Sequence, residues 1–218
     1  MQLSGALSCA LLCVPLARAA TLSLEVQHDG KPVQGAVLSA HPTQPGAPPQ
    51  PVEAVLDQIQ SQFVPHQLVV PVGSRVRFPN SDVTRHQVYS FSAAKRFELP
   101  LYSGTPPEPI VFDSPGVVTL GCNIHDWMTG YIVVLDTRYF AESDTNGLAR
   151  VELPAGEYAL RVWHERLSGS VAPEHLILSA EDSTEHRSFD VELRPPPPPR
   201  GDERMRALQE RFRNLKHD

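Results

Sequence analysis

The sequence predicts an all-β chain built as two small sandwiches, and three observations carry that reading. Apolar residues recur at a period of two in short runs, as in Thr21-Leu22-Ser23-Leu24-Glu25-Val26-Gln27, the pattern of a half-buried strand. Such runs are separated by Gly and Pro punctuation of the kind that joins the strands of a sandwich, and the 218 residues include 22 Pro and 13 Gly. The composition then changes after Leu135, which divides the runs between two units.

The elements follow in order. Residues 1–19 read as a signal peptide. Leu3 to Leu16 is an apolar run too short to span a bilayer with ease, and Ala17-Arg18-Ala19 has the small-x-small form of a cleavage site. Cleavage after Ala19 or Ala20 implies an exported, periplasmic protein with no integral membrane segment once the signal is removed. The strand at 21–27 enters His28-Asp29-Gly30-Lys31-Pro32, where Asp-Gly accommodates positive φ. Val33 to Ala40 is expected as the second strand. The prolines at 42, 45, 48, 49 and 51 then make a linker that cannot support a ladder.

From Val52 the strand pattern resumes, through Gln62-Phe63-Val64-Pro65, Leu68-Val69-Val70 and Val76-Arg77-Phe78. Ala93 to Leu101 is expected as a short helix or loop, and Ile110-Val111-Phe112 as a strand. Asp113-Ser114-Pro115-Gly116 turns the chain into Val117-Val118-Thr119-Leu120. Past Leu135, Asp144-Thr145-Asn146-Gly147 and Pro154-Ala155-Gly156 are turns around an alternating run at 148–153 and a long strand at 157–164. Pro195 to Pro199 predicts an extended spacer, and Met205, Leu208, Phe212 and Leu215 fall on one face of a tail helix. That helix is either a docking surface or a solvated tail.

Hydrophobic residues make up 41% and charged residues 20%, with a net charge of −6, so the chain is globular and has no basic stripe for nucleic acid. Of the three cysteines, Cys9 and Cys13 leave with the signal. The single remaining thiol, Cys122, has no internal disulfide partner and is open to oxidation unless something occupies it. A bound metal would do so.

Cys122 opens the stretch that carries the chemistry, Cys122-Asn123-Ile124-His125-Asp126-Trp127-Met128. A thiol, an imidazole and a thioether stand at three-residue steps between two strands. Thiolate and imidazole with a weak axial Met form the ligand set of a blue-copper site, which needs a second His. His86, heading His86-Gln87-Val88-Tyr89-Ser90-Phe91, is the best placed. Zinc would call for closed Cys/His sets such as paired Cys-x-x-Cys, which are absent. A cysteine nucleophile paired with a His leaves Met128 without a role. His28, His41, His66, His175, His186 and His217 sit in polar or turn settings and read as surface residues, and Asp126 as solvent-facing.

On these residues the segment 52–135 resembles a cupredoxin of the plastocyanin and amicyanin kind. The resemblance implies a Greek-key sandwich holding one type 1 copper, with His86, Cys122 and His125 as equatorial ligands and Met128 as the axial one. Two positions depart from the family: Gln87 stands where Asn is usual, and Arg85 where the nearest relatives have Pro. Residues 20–42 and 136–194 resemble a transthyretin-like or carboxypeptidase-regulatory-like sandwich, through Gly30-Lys31-Pro32, Asn146-Gly147 and Leu153-Pro154-Ala155-Gly156-Glu157-Tyr158. The economical arrangement inserts the cupredoxin into that second sandwich, with a tandem as the alternative, and leaves 195–218 as a Pro-rich linker and helical tail. Relatives of this two-part kind carry the label methylamine utilisation protein, which establishes no role in methylamine oxidation.

The function expected is one-electron transfer by an exported type 1 copper protein, not an enzyme, because four protein ligands leave no open position for substrate. A copper-handling protein without an electron-carrier role is the alternative; a structural β-module with a vestigial site fits a complete ligand set less well. The partner expected is a redox protein docking near His125 and Trp127, with Tyr131 either part of that patch or core.

Overall fold

A computed structural model describes residues 19–106, 108–179 and 184–197, and every regular element in them is a strand. The signal-peptide segment 1–18 and the tail helix expected around Met205–Leu215 lie outside the described residues. No helix among the described residues is long and apolar enough to cross a membrane.

The N-terminal segment supplies β1 (Ala19–His28), β2 (Lys31–Pro32) and β3 (Val37–Pro42). The middle supplies β4 (Glu53–Val55), β5 (Asp57–Ile59), β6 (Gln62–Val64), β7 (Gln67–Pro71), β8 (Ser74–Arg77), β9 (His86–Ser92), β10 (Lys95–Tyr102), β11 (Ile110–Phe112), β12 (Gly116–Gly121) and β13 (Thr129–Leu135). The C-terminal part adds β14 (Tyr139–Glu142), β15 (Leu148–Pro154), β16 (Gly156–Trp163), β17 (Glu174–Leu178) and β18 (Thr184–Asp190).

The two ends of the chain share sheets. β1 lies between β15, antiparallel, and β18, parallel, while β3 lies between β14 and β16, with β17 beyond. Alternation in β1 sends Ala20, Leu22, Leu24 and Val26 inward, each at 1% exposure or less. They meet Leu38 and Ala40 of β3, Leu153 of β15, Leu160 of β16 and Leu176 of β17 in one core. Each fully buried Leu favours the fold by about 1.5–3 kcal/mol over an exposed one. The turn residues behave as their chemistry requires: Asp29 and Gly30 both have positive φ, and His28 pairs with Lys31 across them.

The middle strands form a second core. One sheet runs β10-β9-β12-β13-β7, and a smaller one runs β11-β8-β4. Between them lie Leu56, Phe63, Phe78, Val88, Phe112, Val118, Leu120 and Ile132, together with Cys122 and Met128. The thiol and the thioether are therefore part of the packed interior at one end of this sandwich.

The two cores meet along a seam. Val37, Val133 and Leu135 are buried there against Val69, Phe140 and Trp163. Polar contacts flank them. The Gln67 side-chain amide donates to the Gly35 carbonyl at 3.0 Å, and His66 Nε2 lies 2.6 Å from a Glu165 carboxylate oxygen. His41 Nδ1 lies 2.8 Å from Asp136 Oδ1, and its Nε2 lies 2.9 Å from Ser39 Oγ.

Two expectations need correction. Residues 93–101, expected as helix or loop, hold the edge strand β10, which pairs antiparallel with β9 from Lys95↔Ser92 onward. Alternation of Phe97 and Leu99 wins over the helix-favouring Ala-Ala-Lys-Arg lead-in, and Pro100 falls at the register shift between Leu99 and Tyr102, where an edge strand tolerates it. The strand expected from Val33 begins at Val37. Val33–Ala36 instead wraps Ser143, whose hydroxyl donates to the Val33 carbonyl at 2.6 Å and accepts the Ala36 N–H at 2.9 Å.

Candidate metal centre

The site forms where three strands of one sheet end together. β12 runs between β9 and β13, so Cys122, directly after β12, faces the start of β9, and Thr129 reopens the chain as β13. Gly121 pairs with Tyr89, which sets Cys122 beside His86. Between them the loop is closed by its own backbone: the Met128 N–H donates to the His125 carbonyl at 2.9 Å, and the Thr129 N–H to the Trp127 carbonyl at 3.1 Å. These tight turns fold the three-residue spacing back on itself, so that Cys122, His125 and Met128 share one end of the sandwich.

His86, Cys122 and His125 each offer one ligand atom, and the three atoms lie within 4.8 Å of one another. His86 Nδ1 stands 4.0 Å from Cys122 Sγ. The two imidazole rings are 4.9 Å apart at 54°. Cys122 and Met128 are 3% and 2% exposed, and both line an open cleft of about 420 Å³ with Tyr89 and Phe91. His86 is fully buried, whereas His125 is half-buried and its loop neighbours Ile124, Asp126 and Trp127 are exposed.

His125 Nδ1 decides whether this group suits a metal. It is buried and has no hydrogen-bond partner among the described residues. A buried, unpaired imidazole nitrogen is costly in an interior, because it has lost water and gained nothing in exchange. A cation held by His125, His86 and the Cys122 sulfur would satisfy it. The soft thiolate and two imidazoles suit copper, with a thioether as the weak further ligand.

Asp82 also meets the group, and no sequence expectation included it. Its Oδ2 lies 3.0 Å from His86 Nε2, on the side of the ring away from Cys122, and also accepts the Ser61 N–H at 2.8 Å. The His86 hydrogen bond, followed by that from Ser61, holds the Asp82 carboxyl below the usual carboxylate range. The signal available was the turn-forming Asn80-Ser81-Asp82 run just before the histidine. Asn80, buried, ties this loop down by donating from Nδ2 to the carbonyls of Thr84 and Tyr102 at 2.9 and 2.8 Å. The departures noted above lie off the centre. The Gln87 side-chain amide donates to Glu98 at 2.6 Å, and the Arg85 guanidinium to the Leu101 carbonyl at 2.7 Å.

No protein-family model and no curated protein matches the sequence. Solved structures similar to part of the chain include a purple cupredoxin from Nitrosopumilus maritimus, 24% identical, covering 38% of this chain and 99% of its own at a TM-score of 0.34. A copper-containing nitrite reductase from Thermus scotoductus is 29% identical over 44% of this chain and 26% of its own, at 0.36. A reduced amicyanin variant is 20% identical over 44% of this chain and 99% of its own, at 0.34.

Proposed function

We propose that the chain is an exported type 1 copper protein that transfers single electrons and is not itself an enzyme. His86, Cys122 and His125 would hold the copper strongly, and Met128 would supply the weak thioether. The observation that carries this reading is that ligand atoms of His86, Cys122 and His125 lie within 4.8 Å of one another, and that His125 Nδ1 is buried without a partner among the described residues.

Copper, when bound, supplies a one-electron couple. The chain's own residues account for the rest. Cys122 and Met128 sit in the packed core, which fixes their positions. His86 is held from behind by Asp82. His125 lies on the surface side of the group, next to the Trp127 ring at 5.0 Å, so an electron leaving through its imidazole edge meets a partner soonest there. Trp127, 52% exposed, and Ile124, 48% exposed, would make the apolar contact for a redox protein. Tyr131, the other residue considered for that patch, packs edge-on against Trp163 at the seam.

A potentiometric titration of the copper-loaded protein tests the carrier role. The expected result is reversible one-electron cycling with the metal retained in both states. Release of copper on reduction would favour a copper-handling protein instead.

A further inference from the structure

Resting on the copper reading, we propose that Asp82 is a positioning residue of the centre. Its carboxylate fixes the His86 ring so that Nδ1 is the ligand atom, and its charge favours the more highly charged state of the metal.

A neutral imidazole carries one N–H, and the hydrogen bond made by one ring nitrogen decides which nitrogen is left with a free lone pair. With Asp82 Oδ2 3.0 Å from Nε2, the proton belongs on Nε2, which donates to the carboxylate. Nδ1 is then the bare nitrogen, and it is the atom that stands 4.0 Å from Cys122 Sγ. The ring is fully buried, and the Asp82 side chain is 13% exposed, so solvent does not compete strongly for this bond.

The carboxylate is itself held from several directions. Oδ2 accepts the Ser61 N–H at 2.8 Å, Oδ1 accepts the Val83 N–H at 2.8 Å, and the Asp82 N–H donates to Asn80 Oδ1 at 3.1 Å. The Ser61 contact comes from the β5–β6 turn, where Gln60 and Ser61 both have positive φ, at 52° and 54°, without being glycine. A non-glycine residue in that region costs about 1 kcal/mol or more, so the turn delivers the Ser61 N–H at an energetic cost. A residue whose only work was to shape the 80–86 loop would not need its second oxygen shared between that N–H and the remote nitrogen of a buried histidine.

Groups that hydrogen-bond the remote nitrogen of a metal-bound histidine typically change metal affinity by about 10–100-fold when altered. Asp82→Asn keeps an acceptor oxygen for Nε2 and for Ser61 while removing the charge. The expected result is a Cu(II) affinity weakened about 10–100-fold with Cu(I) affinity nearly unchanged, and therefore a raised potential. Each tenfold difference between the two affinities is about 59 mV for a one-electron couple. An unchanged potential with copper bound normally would overturn the charge role.

Nitrogen NMR of the metal-free protein at mildly alkaline pH gives a copper-independent arm. Wild type should show His86 protonated at Nε2, and Asp82→Ala should lose that preference. Wild-type His86 protonated at Nδ1 would overturn the positioning role. Wild type that binds no copper but keeps the Nε2–H tautomer would overturn the copper reading while leaving the placement of the ring intact.

Discussion

Tyr89 covers the backbone of Gly121 so closely that a Cβ at position 121 would lie 2.7 Å from both Cζ and Oη of the tyrosine ring. Gly121 is the last residue of β12 and immediately precedes Cys122, so the contact sets how near the thiol comes to β9. Gly121→Ala should push the strand end away from β9 and destabilise the protein by about 1–3 kcal/mol, the range for overpacking. Urea denaturation measures this. Tyr89→Ala should recover most of the loss in the double variant, and additive losses would mean that the two residues act separately.

Trp127 tests the docking surface. Its ring stands 5.0 Å from that of His125, yet half of it is exposed. Trp127→Ala should leave the copper spectrum nearly unchanged and slow reduction by a partner, or by a small cytochrome as surrogate, by roughly tenfold, as expected for loss of an aromatic anchor worth somewhat over 1 kcal/mol. Stopped-flow rates compare the two proteins, and equal rates would reduce Trp127 to a packing role.

Leu24 tests the sharing of one core by the two ends of the chain. It is 1% exposed among residues of β3, β15, β16 and β17. Leu24→Ala should cost about 2–5 kcal/mol. The loss should fall on the unit containing Trp163, while Trp127 reports the other sandwich. Denaturation of Leu24→Ala and of its Trp127→Phe derivative, each followed by tryptophan fluorescence, separates the two signals. A loss confined to the Trp127 region would contradict the assignment of residues 20–42 and 136–194 to one unit.

His41 makes the stability pH-dependent. Burial first, and then Arg161, lowers its pKa below the usual 6.5, against the opposing pull of Asp136. His164 is lowered as well, chiefly by burial. The unfolded chain therefore takes up protons at these positions that the folded chain refuses. Stability is undiminished above the ordinary histidine value and declines as pH falls below it. Thermal melts at about pH 7.5 and about pH 5.5 should show a smaller drop in His41→Gln than in wild type. An equal drop would assign the effect to other groups.

What could be read from the sequence was the chemistry held within a short stretch. Cys122, His125 and Met128 stand at fixed spacing between two strands, so their loop is legible without knowledge of the fold, and His86 stands out by its place at the head of a strand. Asp82 carries no such signal, because its meaning depends on Ser61, distant in sequence, meeting it across a turn. Strand β18 is hidden for a different reason. Only Phe189 is buried in β18, so there is little alternation to see, and its place in the sheet depends on parallel pairing with β1 at the far end of the chain. β10 is obscured because its first residues favour helix until pairing with β9 overrides them.

On the proposed reading, Cys122 holds copper together with two histidines. Titrating the metal-free protein with Cu(II), while recording visible absorption, is the direct test. The expected result is an intense thiolate-to-Cu(II) charge-transfer band that saturates at one copper per chain and is absent from Cys122→Ser, because a hydroxyl is a harder and poorer ligand than a thiolate. A colourless wild-type titration, or a band that survives in Cys122→Ser, would contradict it.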